Sequence, residues 1–466
     1  MGELVVYGAT AAGVCAAVAA ARHGVAVTLL EPGRHVGGMV SGGLGYTDIG
    51  DPCVIGGMAA EFRAAVAEHY GTDRYAGPEP HVAEQVFTRW LTEAGVDVVF
   101  DAALPVVTDA AVYVDASYEG DLLAAAGVSY RVGRESRSLH GEPLAGRTEP
   151  APGKHQFPPY LNPFSSSGRL LPLIDPGEEV PAGEGDGRVM AYGYRVCLST
   201  ADDRIPFTRR DGFRDEEWEL ARRWLALGDP GDVVGLVQNL PNGKCDGNSI
   251  GPLSLNLLDG THQDYPTATP ARRAAIVRRF QEYTQDFLYF MSSQGVLSGW
   301  GWAADEFDGG LPHQLYVREA RRMVGEYVLT QHDLFGVSQY DTVAMGSYHM
   351  DVREVRRTWR WVYEHPDPIP SVYNEGYLSV PVRPYQVPYR ALVPRYGECQ
   401  NLLVPVCVSA SHLAFSSVRM EPQYEMLGHA AGLAAVQALR KGIAVQRVDV
   451  VELQTQLREE GQVLAL

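Results

Sequence analysis

The sequence predicts an α/β fold: a parallel-sheet unit at the start of the chain, an α+β region after it, and a strand and small-residue helix near the end. Three observations carry this prediction. The stretch VVYGATAAGVCAAVAAARHG, residues 5–24, runs from an apolar strand through a glycine turn into a helix of small residues. The stretch EPGRHVGGMVSGGLGYTD, residues 31–48, opens on an acid and is dense in glycine. A second alanine- and glycine-rich helix lies near the other end, over residues 426–439.

Leu4 to Tyr7 is short and wholly apolar, the mark of a strand buried on both faces. Gly8 ends it, Thr10 to His23 follows as a slim helix that can lie close on a sheet, and Gly24 stops that helix. Val25 to Leu30 is a second buried strand ending at Glu31. Strand, tight turn, helix, strand and acid form a dinucleotide-binding layout, in which pyrophosphate meets the helix N-terminus and the acid takes a ribose hydroxyl. The G-x-G-x-x-G fingerprint is incomplete, because Gly8-Ala9-Thr10-Ala11-Ala12-Gly13 has threonine at the middle glycine. A short side chain fits there if it turns aside, and its hydroxyl can donate to phosphate or cap the helix. The glycines alone leave a ligand-free βαβ unit equally open.

At 466 residues the chain is long enough for two or three lobes. Its formal net charge of −18 argues against nucleic acid or an anionic membrane as partner, since no basic field draws in phosphates. Cys15, Cys53, Cys197, Cys245, Cys399 and Cys407 are scattered without a C-x-x-C pair, so no iron–sulfur, zinc or redox-disulfide spacing exists and no metal is expected. There is no H-E-x-x-H helix. The apolar run Leu4 to Ala21 follows Glu3 rather than a basic segment and carries glycines at turn positions, so it reads as strand and helix of a cytoplasmic protein. No other run is long and apolar enough to suggest a membrane span.

Further along, Pro80 to Ala94 patterns as an amphipathic helix, Val96 to Phe100 and Ala111 to Asp115 as strands, and Asp121 to Ala126 as a helix. Residues 137–190 are rich in proline, glycine and serine, yet Phe157, Tyr160, Leu161, Phe164, Leu170 and Leu171 favour an ordered excursion. Helices are expected at Glu216 to Leu227, at Pro270 to Met291 with Thr269 as N-cap, and over residues 315–333. Leu402 to Val408 reads as a buried strand, and Met426 to Leu439 as the late helix.

Glu31 followed by Arg34 and the Gly37-Gly38 pair resembles the FAD proteins of the glutathione-reductase-like fold. DASYEGDL, LYVREARRM, PYRALVP, NLLVPVCVSASHLAF and RMEPQYEMLGHAAGLAA extend the likeness from residue 4 to about residue 440. Together they resemble a bacterial FAD-dependent oxidoreductase family, related in fold to the fumarate reductase flavoprotein and to thiazole-biosynthesis proteins. The resemblance implies a Rossmann-like FAD-binding domain formed by residues 1–136 and 388–445, a substrate-binding domain over 137–387, and a C-terminal tail at 446–466. Two departures stand out: the segment Phe100 to Ala111 is short for the family, and Arg353 stands where members commonly carry histidine.

The same resemblance places FAD on particular residues. Gly8, Thr10, Ala11, Ala12 and Gly13 meet the pyrophosphate, and Glu31, Pro32 and Arg34 the ribose. Gly37, Gly38, Met39, Gly43 and Leu44 run along the ribityl and diphosphate. Ala116, Ser117 and Gly120 bring the chain back beside the cofactor. Ser409, Glu421, Gly428 and His429 belong to the late loop and helix, whose positive end faces the flavin.

For chemistry, His412 on the late loop is the expected proton acceptor. Arg419 and Arg390 are expected to clamp a carboxylate or hold the flavin O2, and Arg318, on a helix with other arginines, is a further site residue. Arg353 is expected to stand in for the family histidine as a fixed cation. Cys53 and the histidines are possible points of covalent flavin attachment. No second glycine fingerprint exists for a nicotinamide cofactor. The expected activity is hydride transfer from a small polar organic metabolite to flavin N5, with oxygen, a quinone or a protein carrier as electron acceptor and a homodimer as the possible assembly. The alternatives are a redox-neutral lyase or isomerase and a non-catalytic flavin-binding protein.

Overall fold

A computed structural model of the protein describes residues 3–75, 77–104, 109–151, 153–363 and 366–466. The central sheet contains β1 (Leu4–Tyr7), β2 (Val27–Leu30), β3 (Asp97–Val99), β4 (Val112–Asp115) and β5 (Leu402–Leu403). Its order is β5-β4-β1-β2-β3, and every neighbouring pair is parallel. Tyr7 pairs with both Leu30 and Asp115. The residues just past these three strand ends, Gly8, Glu31 and Ala116, therefore gather at one edge of the sheet, where open α/β sheets bind ligands. The other sheets hold two or three strands, each paired antiparallel.

Seven of the helices matter here: α1 (Ala11–Arg22), α2 (Gly57–His69), α3 (Pro80–Ala94), α4 (Pro270–Ser293), α5 (His412–Val418), α6 (Glu421–Lys441) and α7 (Val450–Glu459). The alanine-rich α1 is buried from Ala11 through Ala20 because the sheet covers one side and α6 the other. The small residues are needed for that contact. A Cβ on Gly428 would lie 2.1 Å from the Ala12 carbonyl oxygen, and one on Gly432 would lie 2.4 Å from that of Ala16.

Several expected elements differ in extent or kind. α6 begins at Glu421, ahead of the expected Met426, because Pro422 falls in the first turn, where its missing N–H costs nothing. The expected strand Leu402 to Val408 pairs only through β5, and residues 404–408 continue as loop. Of the expected helix over 315–333 only a short turn of helix at Gln331–Leu334 forms. Residues 317–323 are buried in succession, and their backbone bonds run to other segments: Tyr316 N–H to Gly193, Met323 N–H to Cys407, Val324 N–H to Ser129. Tertiary partners here replace the i→i−4 ladder, and burial on all sides removes the exposed face an ion-paired helix needs. In the inserted region, α4 packs Tyr283, Phe287 and Phe290 around the buried Trp218, and Thr269 caps it as expected. Residues 446–466 hold α7, which buries Leu453 and Leu457. Residues 105–108 of the short Phe100–Ala111 segment lie outside the described residues. Among the described residues no helix is long and apolar enough to cross a membrane.

Candidate active site

A cleft of about 500 Å³ opens at the sheet edge, lined by Gly8, Thr10, Glu31, Pro32, Arg34, Gly38 and Ser117. Its floor depends on residues that leave no room for side chains. Gly8 has φ +93°, and a Cβ there would fall 2.8 Å from the Ser117 nitrogen. A Cβ on Gly13 would fall 1.9 Å from the Gly8 carbonyl oxygen, which locks the turn onto the first turn of α1. Ala11 and Ala12 are buried in that turn, and it carries no acidic side chain.

The structure resolves the role of Thr10. Its hydroxyl donates to the Ala116 carbonyl at 2.8 Å and accepts the Gly13 N–H at 3.2 Å, so the side chain caps α1 and tethers β4. Glu31 accepts the Ala9 N–H at 2.7 Å and the Gly33 N–H at 2.5 Å, and burial raises its pKa. Each carboxylate oxygen keeps a lone pair for a hydroxyl in the cleft. Asp115, pushed up to about 6 by burial, fixes the return loop by accepting the Ser117 N–H, the Ser117 hydroxyl and the Leu123 N–H. Gly120 takes a left-handed conformation beside Cys407. This donor set and the Cβ-free cradle suit an extended dinucleotide such as FAD.

A second, closed-in chamber of about 10 Å³, room for about one water, abuts the cleft where Gly38 gives way to Met39 and Leu315 to Tyr316. Met39, Leu44, Tyr316, Arg318, Arg419, Glu421 and Tyr424 are among the residues lining it. Tyr118 connects the two spaces: its hydroxyl accepts the Met39 N–H at 2.9 Å and donates to Glu421 at 2.8 Å. Among the described residues the other Glu421 oxygen is buried without a partner, and burial pushes the pKa of this carboxyl up to about 8. Glu421 opens α6, whose N-terminus no side chain caps. Arg419 donates to the Asp351 carbonyl and carboxylate, both at 3.0 Å. Arg318 donates to the Ala191 carbonyl at 2.5 Å and to Asn256 at 3.0 Å.

Other expected residues lie elsewhere. His412 lines neither space. Its Nδ1 is 2.9 Å from Glu319, within a buried ion network that includes Arg322 and Glu135. Arg390 is on Asp341 at 2.9 Å, against Tyr327 and Tyr340. His429 sits more than two turns into α6 and meets Glu460 at 2.7 Å. Arg353 donates to the Ser249 carbonyl and pairs with Glu354. The Ser409 hydroxyl accepts the Gly325 N–H and Gly43 packs on the Arg195 carbonyl, whereas Gly37 stays at the turn, its N–H on the Ala9 carbonyl at 2.7 Å. Tyr118, Glu119, Tyr265, His313 and Gln314 line the cleft without having been singled out from sequence. Tyr118 and Glu119 had a local signal, their place between Ser117 and Gly120. A Glu79, His81 and Glu306 cluster has metal-ligand spacing, but the Lys244 ammonium fills its centre.

No functionally curated protein matches the chain by sequence. Solved structures give partial likenesses. Thermovibrio ammonificans THI4 is 17% identical over 28% of this chain and 66% of that one, with TM-score 0.21. The 3-ketosteroid-Δ4-(5α)-dehydrogenase of Rhodococcus jostii RHA1 is 18% identical over 22% and 38%, with TM-score 0.14. The p-nitrophenol 4-monooxygenase PnpA of Pseudomonas putida DLL-E4 is 14% identical over 30% and 49%, with TM-score 0.18. Each likeness spans two thirds of the solved chain or less. The profile of the FAD dependent oxidoreductase family, in contrast, matches residues 3–108 and 103–457, so the chain belongs to that family of enzymes and its cofactor is FAD.

Proposed function

We propose that the protein takes a hydride from a small polar organic molecule seated where the FAD cleft meets the closed-in chamber. The observation that carries this reading is the contiguity of the chamber with the FAD cleft through the Met39–Tyr118–Glu421 hydrogen-bond chain. Bound FAD supplies a two-electron acceptor. Gly8, Thr10, Gly13, Glu31, Gly38 and Ser117 hold it in this reading, and residues 1–136 with 388–445 form its domain.

The chain's own groups do the rest. Arg318 and Arg419 orient the substrate, while Met39, Leu44 and Tyr424 exclude water. Glu421 accepts the proton that leaves with the hydride through its ionised fraction, a minority at neutral pH that grows as pH approaches about 8. It lines the chamber and its free oxygen has no partner, and its pKa of about 8 lies near neutral pH, as a proton-transfer group requires. His412 keeps a positioning role, because its ring is fixed by Glu319, the neighbour of Arg318 in sequence.

Anaerobic mixing of the FAD-loaded protein with a panel of alcohols, amines and acids tests the reading. Loss of the oxidised flavin absorbance with a turned-over compound supports it. Turnover with unchanged absorbance and no external acceptor refutes it and selects the redox-neutral alternative.

A further inference from the structure

The chamber contains a guanidinium with no counter-ion. Its neighbours each have one: Arg419 lies 3.0 Å from Asp351, Arg353 lies 3.3 Å from Glu354, and Arg195 pairs with Asp246. Among the described residues no carboxylate comes within 4.0 Å of Arg318. Yet Arg318 is only 5% exposed. Its hydrogen bonds all leave from Nη1, so Nε and Nη2 remain free on a side chain that lines the chamber. The Tyr316 ring, 4.4 Å from the guanidinium carbon, holds its plane.

The local charges do not cancel. Arg318, Arg353 and Arg419 face Asp351 and Glu354, which leaves one positive charge. Glu421 holds its proton at neutral pH, His349 lies 3.8 Å from Asp351 and adds no negative charge, and Asp48 stands at the exposed rim. Burial, together with the Arg353 and Arg419 charges, lowers the Arg318 pKa to about 9. A buried cation left in that condition is costly unless a ligand completes it. Arg357 shows the contrast. It too is buried without a carboxylate, but both terminal nitrogens are bonded to the Leu173 and Pro252 carbonyls, and it lines neither the cleft nor the chamber.

We propose that Arg318 is the anion-recognition residue of this site and that the substrate carries a carboxylate, seated on the Nε–Nη2 edge of Arg318 beside Arg419. Those two N–H groups are parallel and coplanar, which matches the two oxygens of a carboxylate. The inference rests on the proposed reading of the junction of cleft and chamber as the substrate site.

The test titrates the FAD-loaded protein at constant ionic strength with acetate, oxalate, malonate and succinate, and with malonamide and succinamide as neutral counterparts. Bound-flavin absorbance reports binding. At least one carboxylate should give a saturable shift that its diamide does not give. Arg318→Gln should weaken that binding at least tenfold at unchanged FAD occupancy, with Arg318→Lys intermediate. The assignment is overturned if no carboxylate binds, if the diamides bind equally, or if Arg318→Gln retains wild-type affinity. Should Arg318→Gln fail to fold, the comparison of carboxylate and diamide on the wild-type protein and on Arg318→Lys decides. Binding moves no electrons, so the two readings fail separately. Carboxylate binding without flavin reduction by any acid would refute hydride transfer alone. Flavin bleaching by a neutral substrate at the same rate in Arg318→Gln would refute the Arg318 assignment alone.

Discussion

Gly428 of α6 rests directly on the carbonyl of Ala12 in α1, so closely that an added Cβ would fall 2.1 Å from that oxygen. This contact places the N-terminal half of α6 over the turn that opens α1 and so brings Glu421 to the chamber beside the FAD cleft. Gly428→Ala must push the two helices apart. The expected cost is about 3 kcal/mol or more, as for overpacking in a rigid core. Chemical denaturation of the variant measures it, and loss of FAD occupancy should accompany it. A stability within error of wild type would mean that the helices are not in this contact.

Thr10 separates two functions that the sequence leaves merged. Its hydroxyl caps α1 and tethers Ala116, so Thr10→Val should cost about 1–2 kcal/mol, the range for loss of an N-cap. Thr10→Ser should cost far less. Both variants should bind FAD in wild-type stoichiometry, since the hydroxyl is engaged by protein. A Thr10→Val protein of normal stability that has lost its flavin would instead place the hydroxyl on the cofactor.

Glu31→Gln replaces one acceptor oxygen by an NH₂ group. Both Glu31 oxygens accept backbone N–H groups, from Ala9 and Gly33, so one of these donors would then face another donor. FAD affinity should fall at least tenfold, about 1.4 kcal/mol. Fluorescence of released flavin on dilution checks the value.

The Glu421 carboxyl gives a pH signature. Its folded pKa, about 8, lies above the ordinary value of 4.5 because burial penalises the charged form. Between those values the unfolded chain has released the proton and the folded chain keeps it, so stability falls as pH rises from about 4.5 to about 8 and levels off above. Glu425, also raised by burial, acts in the same direction. The difference between wild type and Glu421→Gln isolates the Glu421 share: the variant should lose less stability between pH 5 and pH 8, by an amount on the order of several kcal/mol. Denaturant midpoints across that range provide the measurement, and parallel profiles would refute the shift.

Arg390 is expected to matter for stability and not for turnover. It pairs with the buried Asp341 outside both the cleft and the chamber. Arg390→Gln should leave kcat/KM within about twofold, while removing the partner of a buried carboxylate should cost about 1–3 kcal/mol. A large loss of kcat at unchanged stability would return Arg390 to the substrate site.

The parts of this protein whose chemistry is local are legible in its sequence. The apolar run before Gly8, the small-residue helix after it and the acid at Glu31 specify a parallel βαβ unit, because strand period, turn glycine and helix cross-section are each set within a few residues. The Ala/Gly spacing of residues 426–439 likewise marks a helix that packs closely against something. Tertiary contacts settle what these elements meet. Residues 315–333 carry a helix-like pattern of arginine and glutamate, but burial and hydrogen bonds to Gly193, Cys407 and Ser129 draw residues 316–324 out of a helix, which is how Arg318 reaches the chamber. His412 and Arg390 have the right residue types and the right neighbourhood in sequence, yet Glu319 and Asp341 hold them away from the chamber. Side-chain type is written in the sequence. Which ionised partner it finds, and whether one is left over to face a ligand, depends on segments hundreds of residues apart and is settled only when the chain folds.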